Sequence, residues 1–219
     1  MANIVITGAN RGIGLELARQ YVARGDDVIA VCRQGSKEFN ALRVEVIEGV
    51  DVTSDESVTD LASALRGRHI DRLVNNAGVL ERDSLEALDF GAIERQFRVN
   101  AMAPLRVTAA LRNQLASGAK VFIITSRMGS IDDNTSGGYY GYRMSKAAVN
   151  MAAKSLSIDL TDEGIGVFLL HPGMVSTDMT GHHGIDVAQA ARGLIERMDA
   201  LDIGQSGSFW HQEGYELPW

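Results

Sequence analysis

Cysteine is almost absent: Cys32 stands alone among 219 residues. That excludes an internal disulfide framework and leaves no cysteine set to ligate a metal. No apolar run approaches the roughly 20 residues needed to cross a bilayer, and the amino-terminal stretch lacks the basic segment and apolar run of a secretory signal. A cytoplasmic protein that makes no use of a membrane is expected. Positive charge is scarce too, since 21 Lys and Arg face 28 Asp and Glu, a formal net charge of -7. This is the wrong sign for general nucleic-acid binding, whose phosphate term needs a basic face. Neither a composition break nor a repeat nor a low-complexity tract divides the chain, so one domain over residues 1–219 is expected. A hydrophobic fraction of 45% and a charged fraction of 22% suit an ordinary globular protein.

What is present is alternation. Short apolar or β-branched runs recur at 3–7, 27–32, 43–50, 70–76, 119–125 and 165–171, several with little polar interruption, as in strands buried on both faces of a parallel sheet. Between them lie segments of helical spacing. Residues 12–24 put Ile13, Leu17, Ala18 and Tyr21 on one face. Thr53 followed by Glu56 reads as a capping box that starts the next helix. Residues 33–42 are too few for a full helix and predict a turn or a single helical turn. Strands alternating with helices imply right-handed crossovers and an α/β fold: a doubly wound, parallel, seven-stranded sheet of the Rossmann type with helices on both faces.

The stretch "TGANRGIG" at residues 7–14 follows the first strand and opens the first helix. Backbone N–H groups at such a helix start point toward an anion. In this arrangement Gly8 permits the tight turn, Gly12 lets a pyrophosphate approach the backbone, and Gly14 lets the helix pack on the sheet. At the end of the second strand, where an acid would bind a ribose 2'-hydroxyl, the sequence has Cys32 and then Arg33. No carboxylate stands there to repel a 2'-phosphate. Arg33 offers it a forked donor set and Arg11 adds a second positive charge, which favours NADP(H) over NAD(H).

In "GGYYGYRMSKAAVNMAAKSL", residues 137–156, Tyr142 and Lys146 are four apart and share a helix face. Tyr139 and Tyr140 have no lysine at that spacing. A phenol near pKa 10 needs about 4 kcal/mol of preference for its anion to titrate near neutrality. A cation at about 4 Å supplies that at an effective dielectric near 20, but only about 1 kcal/mol in bulk water. The pair therefore works only in a partly dry cleft, and there Lys146 is expected to lower the Tyr142 pKa. Ser126 ends a buried strand, at the side of a parallel sheet where ligands bind, and would hold a carbonyl oxygen beside Tyr142.

With these residues in place, the sequence resembles the short-chain dehydrogenases/reductases. "TGANRGIG" resembles their cofactor loop, "NNAG" at 75–78 the motif after the fourth strand, and "HPGMVSTDM" at 171–179 the segment after the sixth. Asn100, Ser126, Tyr142 and Lys146 match the family's Asn-Ser-Tyr-Lys tetrad. Compact length and the ending "GSFWHQEGYELPW" are similar to the C-factor and sniffer-type carbonyl reductases. The resemblance implies an NADPH-dependent reductase of a small-molecule carbonyl, with Tyr142 as proton donor, Ser126 fixing the substrate oxygen, Lys146 holding the nicotinamide ribose and Asn100 holding a water. It implies that the cofactor lies along Gly8, Asn10, Arg11, Gly12, Ile13 and Gly14, then Arg33, then Asp51 and Val52 at the adenine. Asn76, Ala77 and Gly78 would follow at the ribose, and Pro172, Gly173, Val175 and Thr177 near the carboxamide. For Asp51 a helix cap is an equal reading.

The segment between Asp178 and the next helix is short, so the cleft should be open, with Tyr139 and Tyr140 beside it. His182 and His183 lie there, but their spacing and lack of carboxylate neighbours argue against a metal site. A homodimer or homotetramer through helices at 101–114 and 142–160 is compatible with the resemblance, as is a monomer. The rival readings are an alcohol dehydrogenase running toward oxidation and a C-factor-like signalling protein that binds NAD(P) with little turnover.

Overall fold

The computed structural model describes residues 1–219. Its strands are β1 (Asn3–Thr7), β2 (Asp27–Val31), β3 (Glu45–Ile47), β4 (Ile70–Asn75), β5 (Leu115–Ile124), β6 (Gly166–His171) and β7 (Phe209–His211). They form one sheet in the order β3-β2-β1-β4-β5-β6-β7, every neighbouring pair parallel. The helices are α1 (Gly12–Arg24), α2 (Asp55–Ala64), α3 (Phe90–Phe97), α4 (Ala103–Leu111), α5 (Tyr140–Asp159) and α6 (Val187–Ala200). This is the expected doubly wound architecture. The 43–50 run yields only three strand residues; past them Gly49, at φ +79, and Val50 still donate to the Arg33 and Cys32 carbonyls beyond β2.

Strand alternation sorts the core into two layers. Val5, Ile29, Leu73, Ile123 and Leu169 face α2, α4 and α5. Their neighbours Ile4, Ala30, Val74, Phe122 and Phe168 face α1 and α6, and the Phe122 and Phe168 rings stack at 5.4 Å. Because both faces are covered, the strand runs are continuously apolar. Tyr21, on the buried side of α1 as expected, places its hydroxyl against Met198 Sδ at 3.1 Å.

Two local expectations give way. Ser54, not Thr53, caps α2: its Oγ accepts from Ser57 N at 3.2 Å. Thr53 is instead taken up by Asp51, whose Oδ1 accepts from Thr53 N at 2.9 Å and from Thr53 Oγ1 at 2.8 Å. The helix expected at 101–114 is also composite. A π-helical segment, Arg98–Met102, joins α3 to α4, and a 3₁₀ turn follows at Arg112–Gln114. The crossover at 33–42 does hold a single 3₁₀ turn, Lys37–Ala41.

Strand order reverses between β1 and β4, each of which sends its chain to an opposite side of the sheet. The crevice outside their carboxyl ends is where ligands bind in such sheets.

Candidate active site

The glycine loop leaves β1 through Gly8, at φ +65. A Cβ on Gly8 would lie 2.8 Å from Ala77 Cα, and one on Gly14 would lie 2.4 Å from the Gly8 carbonyl oxygen. Gly8 is therefore required by close approach and by conformation, and Gly14 by close approach. Thr7 Oγ1 accepts from Asn76 N at 3.1 Å and Ala77 N at 3.2 Å, while Asn76 Nδ2 donates to the Thr7 and Gly8 carbonyls at 3.0 Å each. The side chain of Asn76 thus ties the end of β4 to the glycine loop.

Helix α1 starts differently from its neighbours. Ser54, Asp89 and Asp186 cap α2, α3 and α6 with side-chain oxygens, but the residue before α1 is Arg11, which makes no side-chain cap, and no acid lies in the first turn. Its first amide donors are left without side-chain acceptors, and they face the same crevice. That is the donor set a pyrophosphate needs, so the residues fit a dinucleotide. Thr177, which caps a 3₁₀ turn at Asp178–Thr180, lies across the loop: a Cβ on Gly12 would be 3.5 Å from its Cγ2. Pro172 and Gly173, at φ +81, turn the chain out of β6, and buried Val175 then bridges to Ile185. Arg11 points toward this side and pairs with Asp178 at 3.4 Å, whereas Arg33 is exposed beyond β2 and makes no ion pair. His182, expected to lack a carboxylate neighbour, also reaches Asp178, at 3.3 Å. No three His, Cys, Asp or Glu side chains are grouped as metal ligands.

Ser126, Tyr142, Lys146 and Asn100 come together on the α5 side of the crevice. Ser126 follows the end of β5, and its Oγ accepts from Met128 N at 3.1 Å, closing the turn Arg127–Gly129. That turn presses on α5, since a Cβ on Gly129 would be 2.8 Å from the Lys146 carbonyl carbon. Lys146 Nζ donates to the Ile124 carbonyl at 2.9 Å and sits 5.7 Å from the Tyr142 ring centre. Asn100, held by the π-helical segment, accepts from Val79 N at 2.9 Å and donates to Val79 O at 2.8 Å and Ser145 Oγ at 3.0 Å. A Cβ on Gly78 would lie 3.4 Å from Asn100 Oδ1 and 3.8 Å from Lys146 Nζ. The bare glycine keeps a gap open between amide and ammonium.

The electrostatics correct one expectation. Burial pushes the Tyr142 phenol up to about 12, opposed by a hydrogen bond from Ser126, and burial pulls the Lys146 ammonium down to about 8. At 8% and 5% exposure burial sets the direction of both shifts, so in the cofactor-free chain the phenol stands above its free value instead of below it. A phenol in this state keeps its proton at neutral pH.

One contributor was invisible in the sequence. Asp83, in the loop after β4, accepts from Tyr140 N and, at 2.9 Å, from Gly141 N, capping the helix that carries Tyr142. Its partners are 57 and 58 residues away, so no local spacing betrays it.

A family model described as short chain dehydrogenase matches residues 2–188. The chain belongs to the short-chain dehydrogenase family. It is 46% identical to 1-hydroxy-2-glutathionyl-2-methyl-3-butene dehydrogenase of Rhodococcus sp. (strain AD45), over all of both chains. It is also 46% identical to C-signal of Myxococcus xanthus, over 68% of this chain and 93% of that one. Carbonyl reductase Sniffer of D. melanogaster superimposes with a TM-score of 0.92 at 27% identity, covering all of both chains. NADPH-bound carbonyl reductase from chicken fatty liver does so at 0.89 and 28% identity, covering 100% of this chain and 99% of that one. This short-chain dehydrogenase is therefore an oxidoreductase of a nicotinamide-binding family, related to the C-factor and sniffer types. No helix in it is long and apolar enough to cross a membrane.

Proposed function

We propose that this short-chain dehydrogenase reduces a small-molecule carbonyl to an alcohol with NADPH, Tyr142 giving the proton. The observation that carries this reading is a buried, protonated phenol bonded to Ser126 with a buried ammonium one helical turn away. When bound, the cofactor supplies the hydride to the carbonyl carbon. Ser126 Oγ, fixed as an acceptor from Met128 N, would turn its hydroxyl proton from the phenol to the substrate oxygen and hold it there. Tyr142 Oη then passes its proton to that oxygen as negative charge develops there. Lys146 Nζ, which donates to Ile124 O at 2.9 Å, would stabilise the resulting phenolate and would hold the ribose hydroxyls of the cofactor. The gap at Gly78 suits a water between Lys146 and Asn100, through which the proton is replaced.

Gly8, Asn10, Arg11, Gly12, Ile13 and Gly14 would cradle the pyrophosphate, Asp51 and Val52 the adenine, and Thr177 with Pro172, Gly173 and Val175 the carboxamide. Exposed Arg33, the missing carboxylate at Cys32, and the NADPH-bound relative in structure support NADP(H). Exposed Ile131, Met174 and Met179 on loops at the carboxyl ends of β5 and β6 favour an apolar substrate. Exposed Met102, Leu105, Met144 and Met151 on or beside α4 and α5 would suit a homodimer or homotetramer.

The full-length likeness to the Rhodococcus enzyme favours a second reading, oxidation of an alcohol that carries a glutathione thioether. The C-signal likeness supports the third, a signalling protein with little turnover. NADPH consumption with aldehydes, ketones and diones, beside NADP reduction with alcohols including glutathione conjugates, tests all three. Reduction of a carbonyl supports the proposal; turnover of alcohols alone supports the second. Tight NADPH binding with no turnover of any compound would leave the signalling reading.

A further inference from the structure

The terminal stretch "GYELPW", residues 214–219, takes no part in the chemistry above. In the structure it doubles back along β7. Glu216 bridges Trp210 in antiparallel fashion, Leu217 N donates to Phe209 O at 2.7 Å, and the Leu217 side chain is buried in the α5 face of the core. Trp219 is thereby delivered to the turn behind Ser126. Its carbonyl oxygen accepts from Ser130 Oγ at 3.1 Å, Ile131 N at 3.1 Å and Asp132 N at 2.9 Å, and its indole lies 6.0 Å from the Phe209 ring.

Three donors converge on one acceptor, all of them four to six residues past Ser126. The rest of that turn is pinned from the other side: Ser126 Oγ holds Met128 N, Arg143 Nη1 reaches Met128 O at 3.5 Å, and Asn150 Nδ2 reaches Gly129 O at 3.4 Å. The helix supplies one anchor and the tail supplies the other. Beneath the tail, Tyr215 stacks on His211 at 4.6 Å, and His211 meets the edge of His171 at 5.1 Å. His171 Nδ1 is buried with no partner, and burial pulls that imidazole down to about 3, so it is neutral at pH 7.

We propose that Trp219, through its carbonyl grip on residues 130–132, is a positioning residue that holds Ser126 at hydrogen-bond distance from Tyr142 and the substrate oxygen. The proposal rests on the reading of Ser126 and Tyr142 given above. Ser126 lies beyond the last residue of β5, where the sheet no longer fixes it, and misplacement of a catalytic group by about 1 Å can cost about a hundredfold in rate. The grip touches neither the glycine loop nor Thr177, so cofactor binding should not feel it.

The test compares wild type with a chain stopped after Pro218, with Trp219→Phe, and with Ser130→Ala. The carbonyl that is turned over fastest serves as substrate. For the shortened chain, kcat should fall about tenfold or more while the NADPH Kd stays within about twofold. The isotope effect with 4-deuterated NADPH should rise, because chemistry becomes slower relative to release. Trp219→Phe, which keeps the carbonyl and an aromatic ring, should retain most turnover. Unchanged kcat and isotope effect in the shortened chain would overturn the proposal, as would a parallel loss of kcat and NADPH affinity, which marks a general support. Should that chain fail to fold, Ser130→Ala decides: a lower kcat at constant Kd supports the grip, and wild-type kcat overturns it. Turnover retained by Tyr142→Phe would instead sink the underlying reading, whatever the tail variants do.

Discussion

Replacing Lys146 by Met should abolish turnover and yet stabilise the cofactor-free protein at pH 7. The ammonium is 5% exposed, and burial takes its pKa from 10.5 to about 8. At 1.36 kcal/mol per unit, holding that charge inside costs about 3 kcal/mol. The hydrogen bond from Nζ to Ile124 O at 2.9 Å returns part of this, about 1 kcal/mol. Methionine fills a similar volume without charge, so the net gain should be about 2 kcal/mol. For a protein of this size that raises Tm by about 4–8 °C. The sign with pH follows from the depressed value. Between about 8 and 10.5 the unfolded chain binds more protons than the folded one, so wild-type stability rises with pH across that window. The advantage of the variant is therefore full below pH 8 and shrinks by about 2 kcal/mol by pH 9.5. Denaturant unfolding of both proteins at pH 7 and 9.5 measures this. A variant less stable at pH 7, or an advantage equal at both pH values, would refute the claim that Lys146 is held charged against its solvation.

Two further substitutions probe the cofactor cleft and the helix that carries the phenol. Arg33→Asp should weaken NADPH binding by about tenfold to a hundredfold, the worth of charge-assisted bonds to a phosphate, with little loss for NADH; fluorescence titration with each dinucleotide gives the ratio. Asp83→Ala removes the acceptor for Tyr140 N and Gly141 N. It should cost about 1 kcal/mol in urea unfolding and lower kcat more than NADPH affinity, because Tyr142 lies in the freed turn.

How legible the site was depended on the range of the interactions involved. The alternation of β-branched runs and amphipathic segments placed β1, β2, β4, β6 and α1 within a residue or two of where they lie, since buried parallel strands leave a strong apolar record. The Tyr142–Lys146 spacing and the glycine loop are local, and both could be read directly. Contacts between distant residues could not. Asp83 capping α5, Asn76 turned into the glycine loop and Arg11 bound to Asp178 all span more than 50 residues. The π-helical segment that carries Asn100 depends on packing between α3 and α5, which no propensity encodes. The pKa of Tyr142 failed for a related reason: spacing reports the nearby cation, but burial, which sets the sign here, appears only in the folded chain.

Single-turnover reduction by Tyr142→Phe with saturating NADPH bears most directly on the central claim. Loss of the proton donor should slow hydride transfer by about 10²–10⁴-fold, with the NADPH Kd unchanged and the fold intact by circular dichroism. A rate within a few-fold of wild type would contradict the account, because the proton would then be reaching the substrate oxygen from somewhere other than the buried phenol.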